Sequence, residues 1–205
     1  IVRGAHVMEF DGTFSLDDVS SEEVWLALSD PVMIKNALPG CQFLTRIDDP
    51  DDVDWDALSA AADGEDPPVL PEADPDGVAE RGLVEGGHYA ALVQVGVGSV
   101  KPRFETVVTI DRRDFPEMDA SGYGSASDSS FEMDSGMTLV ETDEGVDVEW
   151  WTEADVFGRV AQMGQRVINP VANRVVGRFF KRIQKQLTDV GEDSSGLTDR
   201  IKGLI

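Results

Sequence analysis

The sequence has few of the residues that most often carry out chemistry. Its 205 residues include one cysteine, Cys41, and two histidines, His6 and His88. A single cysteine excludes an internal disulfide and is typical of a reducing compartment. Histidine and cysteine do not cluster at metal-ligand spacing, and no phosphate-cradling glycine loop is present. We therefore predict no catalytic residues, no metal and no cofactor, and we interpret His88 as a turn residue.

Long hydrophobic runs are also lacking. No run approaches the ~20 apolar residues that span a bilayer, and no signal-peptide pattern is recognised. We therefore expect a cytoplasmic protein. Residues 1–7 are expected to be a leader outside the fold, followed by one domain over residues 8–190 and a tail over residues 191–205.

Basic residues are scarce. Lys and Arg total 17 against 40 Asp and Glu, which gives a net charge of −23. Direct nucleic-acid binding is disfavoured, because phosphate contacts need a basic face and the chain as a whole is strongly acidic. A compact chain this acidic repels itself unless salt screens the charges. We therefore predict a protein from a salt-rich, halophile-like cytoplasm, and an acidic surface that binds a basic partner is the alternative.

Apolar residues recur along the chain with two different periods, one typical of strands and one typical of helices. Alternation of period two predicts one strand over residues 9–16 and about six more from residue 41 onward, five of them after residue 78. The inward positions are interpreted as alternate residues within five segments: Tyr89 to Val97, Phe104 to Ile110, residues 119–126, Phe131 to Leu139 and Val146 to Val156. Polar residues alternate with them, so we expect an antiparallel sheet with one solvated face.

Residues 157–188 differ from the rest because they contain no acidic residue and seven of the 17 basic ones. Apolar residues recur there every three or four positions, which predicts one long amphipathic helix. Between the first two strands, Ser20 and Glu23 form a capping box for a short helix, and Asp30-Pro31 begins another. A second strand is expected over residues 41–47.

Residues 48–77 are rich in carboxylates, contain five prolines and carry no basic residue. This composition is typical of a solvated insertion between strands. Within it, one docked helical turn is expected around Trp55 and Leu58, and a partner-docking arm is the alternative to a tolerated loop. The whole order predicts an α+β fold, in which a curved antiparallel sheet of about seven strands wraps around a long C-terminal helix.

Four segments resemble those of a known family. They are DPVMIKNALPGC at residues 30–41, VGVGSVK at 95–101 followed by Phe104, GYGSA at 122–126, and GRVAQMGQRVINPVA at 158–172 followed by Phe179-Phe180. Together they resemble the family of the G subunit of carbon monoxide dehydrogenase, within the SRPBCC or START-like helix-grip superfamily. The insertion over residues 48–77 departs from the compact pattern of that family.

The resemblance implies a non-catalytic accessory protein of a molybdenum-containing carbon monoxide dehydrogenase. It implies that a hydrophobic molecule, a quinone or a lipid-like species, is held between sheet and helix. It also implies a link between the dehydrogenase and the inner face of the membrane. The alternatives are a polyketide cyclase or aromatase-like enzyme of the same fold, and a scaffold without a ligand.

Small residues on one strand face suggest where a ligand would lie. Gly122 and Gly124 are expected to leave space between sheet and helix that neighbouring side chains or a ligand would fill. The predicted cavity residues are Val95, Phe104, Gly122, Gly124, Met133, Met137, Trp150, Met163, Val167 and Val171. The inward polar exceptions are Thr106, Ser135 and Thr152.

The basic side of the long helix has two interpretations. Its side chains either solvate the helix or contact anionic headgroups or a partner. The predicted contact residues are Arg174, Arg178, Lys181, Arg182 and Lys185. A short apolar pattern over residues 197–205 is interpreted as an interfacial tail, a segment that docks back onto the chain, or a disordered end.

Overall fold

A computed structural model describes residues 6–188 and residue 201. Within these residues seven strands form one sheet. Their bounds are β1 His6–Asp17, β2 Cys41–Ile47, β3 His88–Gln94, β4 Arg103–Asp114, β5 Glu117–Ser125, β6 Ser129–Glu141 and β7 Gly145–Gly158. The strand order is β1-β7-β6-β5-β4-β3-β2, and every neighbouring pair is antiparallel. The predicted fold class is confirmed.

Six helices accompany the sheet in the described part of the chain. Their bounds are α1 Ser21–Ser29, α2 Pro31–Ala37, α3 Trp55–Ala61, α4 Pro75–Glu80, α5 Arg159–Gln162 and α6 Gln165–Thr188. The first two begin as predicted: Ser20 and Glu23 form the reciprocal capping box of α1, and Asp30 accepts from the Val32 amide at the start of α2. Each cap provides partners for amide groups that a helix start leaves unpaired.

The first strand is longer than predicted. It begins at His6, whose backbone pairs with Val156, and Val7 pairs with Asp155. The predicted leader and the strand therefore overlap by two residues. The sequence pattern did not indicate this because neither residue adds to the alternation that begins at Phe10.

Most of residues 48–77 are exposed to solvent, but part of this segment is buried, which its composition did not indicate. Leu70 is fully buried, and Val69 and Ala73 join the same core cluster. The segment also holds α3, which packs Trp55 against Phe43 on the outer face of the sheet. Four contacts fix its course. They are Tyr123 Oη to the Pro50 carbonyl, Lys35 to Asp66, Arg81 to the Pro68 carbonyl, and Gln186 Nε2 to the Leu70 carbonyl.

The helix α3 explains why β3 is apolar on both faces. Ala90 and Leu92 point away from α6, yet both are buried because α3 covers them. The outer face of the sheet is therefore exposed to solvent only outside the area that α3 covers. β2 lies at one edge of the sheet, and the insertion passes along it from the outer face to the helical side. Covering an edge strand protects it from pairing with other chains.

The prediction of one helix from residue 157 to residue 188 is also wrong at its start. β7 continues to Gly158, and the short α5 lies between Gly158 and Gly164, whose φ angles are +81° and +72°. A positive φ is compatible with glycine and ends regular helix. The apolar period continues through this break, which is why the sequence pattern did not reveal it.

The main core lies where α1, α2 and the C-terminal half of α6 cover the sheet. The Phe180 ring stacks on Phe14 of β1 with 5.2 Å between centroids, and Ile183 is fully buried. Ile201 is also fully buried in this cluster. Of the three interpretations of the tail, docking onto the chain is therefore the one observed at Ile201. The other tail residues lie outside the described part of the chain.

Candidate functional site

The sheet face that carries α6 is sealed at one end. We call this the closed end and define it by Leu16 of β1, Leu139 of β6, and Val146 and Val148 of β7. None of these side chains is more than 5% exposed. The cross-strand pairs Leu16–Val146 and Leu139–Val148 lie beneath α1 and the C-terminal half of α6.

Further along β6 and β7 the same face is only half-buried, although Met8 of β1, which pairs with Ala154, is 1% exposed. We call this region the open groove. Its floor consists of half-buried residues that point to the same side as the closed end. They are Phe10, Ala120, Phe131, Met133, Ser135, Met137, Trp150, Thr152, Ala154 and Val156. Large apolar side chains here keep access to solvent, although their neighbours a few residues away have none.

The long helix accounts for this difference. Within α6 only Phe180 and Ile183 are buried, and both lie in its C-terminal half. That half is fixed by hydrogen bonds, because Gln184 bonds both the Asp17 amide (2.7 Å) and the Asp17 carbonyl (3.0 Å). In the N-terminal half, Val167 is 37% exposed and Val171 is half-buried. The N-terminal half therefore leaves the floor of the groove incompletely covered.

The groove does not arise from the glycines as predicted. A Cβ atom on Gly124 would lie 2.5 Å from the Phe131 ring, and one on Gly122 would lie 3.2 Å from Met133 Cε. These side chains come from the paired positions on β6 and occupy the space above both glycines. Gly122 and Gly124 therefore permit close packing of their neighbours, and the opening is due to the helix.

The other predicted cavity residues divide into two groups. Met133, Met137 and Trp150 lie together on the floor of the groove. The second group surrounds the hairpin at residues 95–102, which turns tightly between Val97 and Val100. A Cβ on Gly98 would lie 3.5 Å from Met163 Sδ and 3.6 Å from Val167 Cγ1, so this hairpin touches the start of α6. Val95 is the first residue of this hairpin, and Phe104 follows it on β4.

Sequence reasoning missed Phe131 as a groove residue. It meets Phe104 edge to face, with 5.3 Å between ring centroids, and covers Gly124. The signal that would have found it is the pairing of Phe131 with Gly124, because a large side chain opposite a glycine tends to lie over it. The sequence alone did not reveal this pairing, since it depends on the register between β5 and β6.

Two distinct clefts lie elsewhere. One of about 410 Å³ is lined by acidic and small polar residues between the start of α1 and the β6–β7 turn. The other, of about 200 Å³, lies between α2, β2 and α3. Neither is lined by any of the ten predicted cavity residues. The described residues contain no group of His, Cys, Asp and Glu arranged to hold a metal ion.

The titratable groups that sequence analysis considered lie away from the groove. His88 is the first residue of β3, and its Nδ1 lies 2.9 Å from Thr109 Oγ1 on the outer face. Cys41 is half-buried, its Sγ donates to the Phe43 carbonyl, and burial raises the pKa of its thiol to about 11. The Cys41 thiol is therefore protonated at neutral pH and a poor nucleophile.

The basic residues of α6 lie on its solvent side. Arg174, Arg178, Lys181 and Lys185 are exposed, and their spacing of four, three and four residues places them along one stripe. Arg182 differs because its Nη1 donates to the Ala37 carbonyl in α2 (3.3 Å). None of the helices within residues 6–188 combines the length and the apolar composition of a membrane span.

An antiparallel sheet that holds a long C-terminal helix is the helix-grip fold, and solved structures share it. A conserved protein from Geobacillus kaustophilus is 22% identical, with a TM-score of 0.62, over 87% of this chain and 93% of that chain. The Zhui aromatase/cyclase from Streptomyces sp. R1128 is 10% identical, with a TM-score of 0.52, over 91% and 100% of the two chains. Norcoclaurine synthase from Thalictrum flavum is 10% identical, with a TM-score of 0.51, over 92% and 91%. These likenesses define the fold.

The family is defined by sequence. The model of CoxG, the G subunit of carbon monoxide dehydrogenase, matches residues 78–188, which is more than half of the chain. The protein belongs to the CoxG family, as the motifs at residues 95–101 and 158–172 indicated. Among curated proteins, none matches this sequence.

Proposed function

We propose that this protein is a non-catalytic accessory protein that binds an apolar small molecule in the open groove. The observation that carries the proposal is the difference in burial along β6 and β7. Leu139, Val146 and Val148 are sealed, whereas Met133, Met137 and Trp150 on the same face keep access to solvent. Exposing large apolar side chains costs free energy, about 25 cal/mol per Å², which a bound apolar ligand would recover.

The chemistry of the groove favours binding over catalysis. Its strand residues are apolar except for the hydroxyls of Ser135 and Thr152, with Thr106 nearby on β4. An enzyme of this fold would be expected to place at least two polar or titratable groups within hydrogen-bonding reach of a reacting atom. The aromatase/cyclase and norcoclaurine synthase neighbours share the fold, so we retain a cyclase-like enzyme as the alternative and a scaffold without a ligand as the third possibility.

Membership of the CoxG family supports the choice of ligand and partner. We propose a quinone or lipid-like molecule as ligand and a molybdenum carbon monoxide dehydrogenase as the protein that it serves. Flexible methionine side chains such as Met133 and Met137 adapt to apolar ligands of varied shape. Groove residues proposed to contact the ligand are Val95, Phe104, Met133, Met137, Trp150, Met163, Val167 and Val171.

Ligand binding is tested by filling the groove. Ala154 lies on the floor opposite Met133, so Ala154→Trp would occupy the site. We expect wild-type protein to raise the fluorescence of N-phenyl-1-naphthylamine, a neutral apolar probe, and the variant to lose that signal. The matched control is Thr138→Trp on the outer face of β6. Loss of probe binding in both variants, or in neither, would contradict the proposal.

The ligand itself is best identified from protein purified from its own host. Native mass spectrometry followed by organic extraction should reveal a quinone or lipid-like species. Repeatedly empty spectra, together with no binding of the neutral probe, would favour the scaffold.

We further propose that the stripe of Arg174, Arg178, Lys181 and Lys185 contacts anionic lipid at the inner face of the membrane. Each basic residue near such a surface contributes about 1 kcal/mol at ordinary salt, and the effect weakens as salt increases. Cosedimentation with vesicles rich in phosphatidylserine tests this. We expect binding that falls with salt and with Arg174→Glu/Arg178→Glu, whereas equal binding to neutral vesicles would contradict it.

A further inference from the structure

Two hydroxyl side chains lie opposite each other on the floor of the open groove. Ser135 of β6 and Thr152 of β7 are direct partners in the antiparallel register, and both are half-buried. Directly opposite residues have Cβ atoms about 4.5–5.5 Å apart, so both hydroxyls can reach one common atom. Neither side chain hydrogen-bonds to any residue in the described part of the chain.

The surroundings of this pair are apolar on every side. Along the strands Met133 and Met137 flank Ser135, while Trp150 and Ala154 flank Thr152 at the same-face positions. In the row across the sheet, Phe10 pairs with Thr152 and Ala120 pairs with Ser135. A hydroxyl left without a partner when an apolar ligand covers it would cost free energy.

Three hydroxyls on the outer face of the sheet have side-chain partners. Ser15 Oγ donates to Asp147 (2.6 Å), Ser121 Oγ donates to Asp111 (3.1 Å), and Thr109 Oγ1 contacts His88 (2.9 Å). All of these lie on the solvated outer face. The two hydroxyls on the groove floor thus have no partner among the described residues, at the place where the ligand is expected.

We propose that Ser135 and Thr152 form a polar subsite that donates two hydrogen bonds to one carbonyl oxygen of an otherwise apolar ligand. This inference rests on the proposed function, because it assigns part of the same groove. A carbonyl oxygen has two lone pairs and can accept from both hydroxyls. A ligand carboxylate is disfavoured because the inward-facing strand residues of the groove include no cationic side chain, and an unpaired buried charge is costly.

Two ligands of one skeleton separate the polar subsite from the apolar groove. Octanophenone carries a carbonyl next to its ring, and octylbenzene lacks it. Their affinities are measured by displacement of N-phenyl-1-naphthylamine. If both hydroxyls bond the carbonyl, we expect wild-type protein to prefer octanophenone by about tenfold, since each such bond is worth a few-fold in affinity.

The matched variant is Ser135→Ala/Thr152→Val, which removes both hydroxyls and keeps the side-chain volumes similar. We expect it to lose the preference for octanophenone and to bind octylbenzene within about twofold of wild type. Thr138→Val, on the outer face of β6, is the control and should retain the full preference. Each single variant should lose part of it.

The outcomes distinguish the subsite from the function on which it rests. If wild-type protein binds both ligands equally, or if the double variant keeps the preference, the subsite is overturned while ligand binding stands. If wild-type protein binds neither ligand, both proposals are overturned. The alcohol 1-phenyl-1-octanol tests the chemistry: binding as tight as that of octanophenone would overturn the assignment to a carbonyl.

Discussion

The two halves of α6 lie over the same sheet and meet it in different ways. The C-terminal half places Phe180 and Ile183 in a sealed core and is fixed by hydrogen bonds from Gln184 to Asp17. The N-terminal half follows a break at Gly164 and leaves Val167 partly exposed. The C-terminal half of α6 therefore stabilises the fold at the closed end, whereas the N-terminal half leaves the open groove accessible.

The largest effect should separate the two halves directly. Replacing Ile183 with alanine at the closed end should lower the free energy of unfolding by about 2–5 kcal/mol, because a fully buried aliphatic group is lost. Val171→Ala in the N-terminal half should cost less than about 1 kcal/mol, because Val171 is only half-buried. Urea unfolding measures both, and equal losses would contradict the comparison.

A somewhat smaller loss of stability should show that the insertion is part of the core at the closed end. Leu70→Ala removes a fully buried side chain whose carbonyl accepts from Gln186 of α6. We expect a loss near the lower limit of the usual range, about 2 kcal/mol, because a loop segment can settle into the vacated space more easily than a helix can. Thermal unfolding measures it, with the exposed Asp63→Asn as control. An unchanged stability of Leu70→Ala would mean that the insertion does not contribute to the core.

The cap of α1 should have a smaller effect again. Ser20→Ala removes the side-chain acceptor of the Glu23 amide at the closed end and should cost about 1 kcal/mol. Ser20→Thr should recover most of this stability, because threonine also caps helices. Urea unfolding of the pair would test the cap, and a cost from Ser20→Thr as large as that from Ser20→Ala would argue that volume rather than hydrogen bonding matters.

The smallest effect is a difference in solvent access between two tryptophan side chains. Variants that keep one tryptophan and replace the others with phenylalanine would report on Trp25, which is 2% exposed, and on Trp150, which is half-buried in the groove. Acrylamide should quench Trp150 more strongly than Trp25, and octanophenone should protect only Trp150. Equal quenching would indicate that the groove is closed in solution.

The local elements could be predicted because their causes lie within a few residues of one another. The cap at Ser20, the start of α2 at Asp30-Pro31 and the bounds of β2 all follow from neighbouring side chains. The inward faces of β4 to β7 followed from alternation. The salt-rich origin, in contrast, stays a prediction.

The failures concern contacts between distant segments. Leu70 lies in a carboxylate-rich segment, and only the core residues and the α6 side chain that it meets explain its burial. The break in the helix at Gly164 was not predicted, because the apolar period continues across it. The glycines at 122 and 124 were interpreted as gaps because their partners Met133 and Phe131 become visible only with the register.

By itself the sequence determined the sheet, its inward face, the long basic helix and the family, since alternation, capping and motifs are local properties. Only the tertiary structure decided where that helix lies close to the sheet and where it does not. The reason is that burial depends on which segments meet: α1, α2, the insertion and Ile201 converge on one end of the helix, and the described elements leave the other end open.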